Sequence, residues 1–321
     1  MLQPLLPSTL PAPLQSVLHP AGPDAAIISQ FAWVLFGGGA LVFALVMVLA
    51  ALGLGRRART VRPMFWIAGA GVAFPVTVLT VLLTWSTWRS GQMAAQTSQH
   101  ATRVAVSANM WWWEVRYPDP GGGPDIVSAN EIHIPAGRPV YLGLTASDVI
   151  HSLWVPALGG KMDMVPGRVT GLTLQADKPG VYRGQCAEYC GEQHARMALH
   201  VVAHTPADYA AWLARQARPA AAPADAAGET ILARGRQAFI EQRCAACHTI
   251  RGVSEVTRLG PDLTHVGARL HIAAGTLRTH RGTLAGWIAD PQSIKPGARM
   301  PPASMDGDTL SALAAYLEQL K

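Results

Sequence analysis

Two long stretches of the chain carry no charged residue. One runs from Ala25 to Gly55 and the other from Met64 to Trp88. Each exceeds the ~20 apolar residues a helix needs to cross a ~30 Å hydrocarbon core. Soluble folds rarely hold two such runs in succession, so the pattern predicts a hairpin of two membrane-spanning helices. Between them, GRRARTVRP supplies Arg56, Arg57, Arg59 and Arg62. Arginines gathered in a short loop mark the cytoplasmic side, and both termini are then expected to face outward. Pro75 falls within the second run, where a neighbouring helix can cover the carbonyl it frees. The first run is too long for the apolar part of a signal peptide, so a retained hairpin is expected.

Beyond the hairpin the period changes. Residues 102–203 read as short strands: HIPAGRPVYLGLTA alternates around a Pro/Gly turn, and VTGLTLQA, GVYRGQC and MALHVVA follow. Such punctuation predicts a Greek-key β-barrel or sandwich. An Ala/Pro-rich stretch, QARPAAAPADAAGE, then reads as a semi-stiff tether. Helical spacing returns in ETILARGRQAFIEQR and in the closing DGDTLSALAAYLEQL. The expected organisation is an outer segment 1–24, a hairpin 25–90, a β domain 91–215, a linker 216–228 and an all-α domain 229–321.

Composition agrees with membrane residence. Half the residues are hydrophobic and 14% are charged, below the ~25% of soluble domains. The net charge of +6 is spread out: residues 89–218 carry 11 Lys/Arg against 10 Asp/Glu, and 229–321 carry 11 against 8. Neither domain has a basic tract of the kind that binds nucleic acid.

The four cysteines form two closely spaced pairs, and both spacings are chemical. In CAEYCGEQHARM, Cys186, Cys190, His194 and Met197 crowd into twelve positions, and His151 follows an earlier strand in DVIHSLWVP. Cys186, Cys190, His194 and His151 could make a tetrahedral zinc site. That leaves Met197 unexplained, whereas thiolate, imidazole and thioether together suit copper. Two bridging thiolates could hold two coppers, each with one histidine. The second pair, CAACH at 244–248, has the spacing for covalent haem attachment, with a redox pair or half a zinc site as alternatives. With both pairs so placed, no disulfide is expected.

CAEYCGEQHARM resembles the CuA loop of cytochrome c oxidase subunit II. DVIHSLWVPALGGKMDMVPGR and ANMWWWEVRYPD resemble other segments of that family, in its order. The resemblance implies a cupredoxin domain whose CuA ligands are His151, Cys186, Cys190, His194 and Met197, with Glu188 ligating through its backbone carbonyl. It also implies that the Glu188 carboxylate faces a magnesium ion shared with subunit I, and that Trp111 is the electron-entry residue. In a strand, Trp111 and Trp113 would share one face and Trp112 the other; core packing or a membrane-interface belt is the plainer explanation of such a run. Asp148 is expected behind the ligands or at a docking surface, and Asp163 and Arg168 at the contact with subunit I. His133, His200 and His204 match no ligand position.

Residues ~230–320 resemble a class I cytochrome c domain. That implies thioether bonds from Cys244 and Cys247, axial His248, and Met300 as distal ligand, with Met305 a rival. Gly235, Phe239 and Tyr316 are expected where the terminal helices cross. The combined resemblance is to subunit II of a caa-type oxidase. It implies electron input from cytochrome c or another outer donor through haem c and CuA to subunit I, beside subunit III, in a bacterial inner membrane with both metal domains outside. Oxygen reduction and proton pumping would lie on partners, since the spans contain no histidine. The alternative is the CuA/haem c subunit of another terminal reductase, such as a nitric oxide reductase. A copper-delivery protein is disfavoured by the haem motif.

Overall fold

A computed structural model describes residues 14–54, 62–94, 102–221 and 230–321. Arg56, Arg57 and Arg59, on which the expected orientation rests, lie outside the described residues, as does most of the tether. Helix α1 (Pro23–Leu54) is 32 residues long, roughly 48 Å at 1.5 Å per residue. A second helix opens with wide π-helical turns over Phe65–Ala73 and continues as α2 (Phe74–Ala94). Pro75 lies at this junction, where its missing N–H interrupts the regular bonding ladder. The apolar central parts of both helices are uncovered by protein. A helix that is apolar all round and unburied is suited to lipid. The hairpin is pinned near the β domain, where Phe31 meets Trp85 edge-to-face at 5.0 Å and Arg89 donates to Gln30.

The segment before α1, uninformative as sequence, is laced into the β domain. Leu14 pairs with Tyr182, donating to Val181 O and accepting from Arg183 N. Ala21 donates to Ala157 O and accepts from Asp177 N. The start of α1 and the end of α2 therefore sit on the β-domain side of the hairpin.

The β domain is a sandwich of two five-stranded sheets. β1 (Thr102–Asn109), β2 (Trp112–Tyr117), β3 (Ile126–Ala129), β4 (Glu131–Pro135), β5 (Val140–Ala146), β6 (His151–Trp154), β7 (Lys161–Met164), β8 (Thr170–Leu174), β9 (Gly180–Cys186) and β10 (Ala198–His204) are ordered β3-β2-β1-β5-β8 and β4-β10-β9-β6-β7. Two neighbours, β1 with β5 and β10 with β4, run parallel. Alternation works as expected in β1 and β5: Val104, Val106, Val140, Leu142 and Leu144 enter the core between the sheets. β4 and most of β10 are buried on both faces. Their outer side is covered partly by α3 (Pro206–Gln216), whose Trp212 stacks on His133 at 4.0 Å.

The C-terminal domain is helical, with α4 (Ile231–Glu241), α5 (Arg281–Ala289), α6 (Pro291–Ile294) and α7 (Gly307–Gln319). α4 crosses α7 at Gly235, where a Cβ would lie 2.6 Å from Tyr316 Cβ and still closer to Ala312 O. Phe239 and Tyr316 are fully buried at this crossing, as their spacing suggested. Between α4 and α5, Ala273, Ala274 and Gly275 take φ of 52°, 54° and 78° in succession. For the two alanines this left-handed backbone costs about 1–2 kcal/mol each.

Candidate metal centres

The donors of the first motif come from the ends of three adjacent strands. His151 opens β6, Cys186 closes β9, and Met197 immediately precedes β10; Cys190 and His194 occupy the connecting loop. Their arrangement is paired. Cys186 Sγ lies 3.8 Å from Cys190 Sγ and 3.8 Å from His151 Nδ1. Cys190 Sγ lies 3.6 Å from His194 Nδ1 and 3.9 Å from Met197 Sδ. The carbonyl of Glu188 is 3.2 Å from Cys186 Sγ. His151, Cys186, Cys190 and Met197 are all buried.

Each thiol thus has its own imidazole. The donor atoms of His151, Cys186 and Cys190 lie within 4.8 Å of one another, while those of His194 fall outside that mutual distance. One small tetrahedral ion needs all four to converge. A pair of bridging sulfurs with an imidazole at each fits two soft ions better. Through their mutual hydrogen bond the pKa of Cys186 is driven down and that of Cys190 up. Two thiolates this close repel unless cationic metal compensates them.

His151 is fixed from behind. Its Nε2 meets Asp148 Oδ1 at 2.9 Å, so Nδ1 faces the sulfurs. Burial pushes the Asp148 pKa up, but hydrogen bonds from His151, Met110 N and Val149 N outweigh it and the carboxyl sits below its ordinary range. His151 is likewise opposed by burial, yet its bonds to Cys186 and Asp148 raise its pKa. Trp113, fully buried, packs its ring 6.4 Å from the His151 ring.

Trp111 does not share a strand face with Trp113. β2 begins at Trp112, and Trp111 lies in the preceding turn, so the pleat does not set its direction. Its indole N–H donates to Cys190 O at 2.8 Å instead. Gly191 lies against the ring, and a Cβ there would come within 3.0 Å of it. The Glu188 carboxylate is half exposed, 4.0 Å from Lys161 Nζ, which also reaches Asp163 at 3.6 Å.

In the second motif, Cys244 opens a short 3₁₀ turn and Cys247 caps it. His248 Nδ1 donates to Pro261 O at 2.8 Å, which leaves Nε2 as the free ligating nitrogen. Gly260 permits this, because a Cβ there would sit 2.7 Å from His248 Cε1. Burial lowers the pKa of His248, keeping the ring neutral as a ligand must be. Met300 and Met305 both pack, partly exposed, on the same apolar cluster. Two thiols and an oriented imidazole at this spacing fit a covalently attached haem.

The two domains touch. Lys295 is 3% exposed and donates to Trp111 O, Arg196 O and Ala273 O at 3.2, 3.1 and 3.3 Å. Burial and the neighbouring Arg196 charge lower its pKa to about 8. Glu131 Oε1 accepts from Leu270 N at 2.6 Å, and His200 stacks on His271 at 4.4 Å. Sequence reasoning missed all of these, since no local spacing links residues 131, 196 and 295.

Fold and site together define a β domain with a paired thiol–imidazole centre, preceded by two helices long and apolar enough to cross a membrane and joined to a helical domain that carries CAACH. Residues 121–204 match the family described as cytochrome C oxidase subunit II, periplasmic domain, and residues 232–321 match cytochrome c. The chain is 39% identical over 219 residues to cytochrome c oxidase subunit 2 of Alkalihalophilus pseudofirmus, covering 68% of this chain and 61% of that protein. It is 33% identical over 237 residues to the subunit 2 of Bacillus subtilis, covering 70% and 64%. The chain thus spans about three fifths of the length of these relatives. Among solved structures, the periplasmic domain of subunit II of cytochrome oxidase from Bradyrhizobium japonicum is 29% identical, with 36% of this chain and 92% of that one covered and a TM-score of 0.34. Residues 121–204 thus form a periplasmic domain of the cytochrome c oxidase subunit II family, and residues 232–321 a cytochrome c domain after it.

Proposed function

We propose that this chain is the electron-input subunit of a haem–copper terminal oxidase, taking electrons from an outer donor and passing them to subunit I. The observation that supports it best is the pair of thiols 3.8 Å apart, each with its own imidazole. Bound here, binuclear CuA and haem c would supply one-electron transfer without bond making or breaking.

The chain's own residues would do the following. Cys186, Cys190, His151, His194, Met197 and the Glu188 carbonyl would hold the two coppers. Asp148 holds the His151 ring and its tautomer. Because these donors hang from strand ends in a packed sandwich, little has to move as charge changes. Trp113 and the buried ligands exclude water, which helps set the potential. Cys244 and Cys247 would hold the haem covalently and His248 and Met300 would ligate its iron, a pair that raises the potential. Trp111, bonded to the Cys190 carbonyl, is the route by which electrons enter the copper site.

Both metal domains face the outer side of a bacterial inner membrane in this reading. Glu188 then reaches a magnesium ion shared with subunit I, and subunit III completes the core. The test is isolation of the chain with its native partners. Haem a in the same particle, with oxygen uptake driven by reduced cytochrome c, is the expected result. A non-haem iron partner lacking haem a would place the chain in another terminal reductase.

A further inference from the structure

Lys295 is a charge buried between two domains, five residues before the expected haem ligand Met300. An ammonium has three donors and no acceptor, and a buried cation is tolerated only when those donors are met. Here all three are met by backbone carbonyls from three separate segments. Trp111 O belongs to the turn beside the copper loop, Arg196 O to that loop itself, and Ala273 O to the helical domain.

The surroundings repeat the pattern. The left-handed run Ala273-Ala274-Gly275 brings three successive carbonyls to the boundary: Ala273 O meets Lys295, Ala274 O accepts from Ala198 N at 3.0 Å, and Gly275 O accepts from Arg183 at 3.3 Å. Strained backbone of this kind persists only where its neighbours enforce it. Gln193 donates to Pro296 O at 2.7 Å, Arg196 donates to Ile294 O, and Arg299 approaches Asp148 at 3.7 Å. Gly297 lies over Trp111, and a Cβ there would be 3.7 Å from its ring and closer still to Glu192.

We propose that Lys295 is the latch that holds the cytochrome domain on the copper loop, and that this docked state covers Trp111 against soluble donors. Electrons then enter the copper site by way of the haem domain alone. The inference rests on the electron-input reading above, but the docking itself can be tested without any electron flow.

The experiment is amide hydrogen exchange on the full chain, loaded with copper and haem in detergent. Two amides, Ala198 N and Leu270 N, bond across the boundary and report its opening. In Lys295→Met both are expected to exchange at least tenfold faster, while amides in α4 and α7 keep their protection. Lys295→Arg should restore part of the protection. If α4 and α7 also lose protection, the domain itself has come apart, and Arg183→Ala, made on the other domain, decides instead. It should speed the same two amides in the same direction, and no change in them overturns the latch. Unchanged exchange in a folded Lys295→Met variant also overturns it. Stopped-flow mixing with reduced soluble cytochrome c tests the shielding. The wild-type chain should reduce haem before copper, and the variant should reduce copper directly and in parallel. If boundary protection is lost and copper still waits for haem, the shielding is refuted.

Discussion

At the scale of single residues, the ligand motifs were legible because their chemistry is local. Cys186, Cys190, His194 and Met197 lie within twelve positions, and CAACH within five. His151 stood out as a further donor, but its place beside the loop was not local, since a distant strand supplies it. The carboxylate behind His151 shows what local reading finds harder to rank. Asp148 stood near a ligand in the sequence, but only the 2.9 Å bond to Nε2 gives it a task. Asp148→Ala should lower copper retention about 10- to 100-fold, the usual effect of losing such a partner, measured by competition with a chelator. Gly260→Ala should displace the His248 ring and abolish the low-spin haem signature in optical spectra. Trp111 illustrates the opposite limit: strand alternation assigned it a face, and a strand that starts one residue later, at Trp112, removed the basis for that assignment.

At the scale of elements, apolar runs and alternation predicted the two long helices and five of the ten strands of the β domain, because those patterns report which face each element buries. They did not reveal α3, although its start carries a clear signal. Thr205 accepts from Asp208 N and Pro206 follows it, a capped N-terminus with proline in the first turn. Nor did alternation apply to β4 and β10, whose outer faces are covered by α3 and the cytochrome domain. That double cover holds histidines in a dry setting. Burial lowers His200 to about 4, helped by His271, and lowers His204 to about 4, helped by His133, against an ordinary 6.5. The unfolded chain therefore takes up protons between pH 6.5 and 4 that the folded chain refuses. Stability from these rings is full above 6.5 and is lost as pH falls through that window, by an amount on the order of a few kcal/mol. Denaturant melts of His204→Phe should show a shallower acid decline than the parent; equal slopes would discount the histidines. In the helical domain, Gly235→Ala should cost about 1–3 kcal/mol by overpacking the α4–α7 crossing, read from the shift in the chemical denaturation midpoint.

At the scale of the whole molecule, the order of parts was written in the sequence: apolar hairpin, alternating β domain, helical domain. How the last two meet was not. The boundary contacts come from Lys295, Glu131, Arg183 and the left-handed turn at 273–275, none of which carries a motif, because long-range contacts leave no local period. The near-neutral charge balance of the β domain is consistent with a donor held by covalent linkage, since a tether can supply about millimolar effective concentration without electrostatic steering. The central claim is that one chain holds a two-copper centre and a haem. Metal analysis of the purified full-length protein tests it most directly. Two copper atoms and one iron per chain are the predicted result, and one zinc in place of copper would contradict the account.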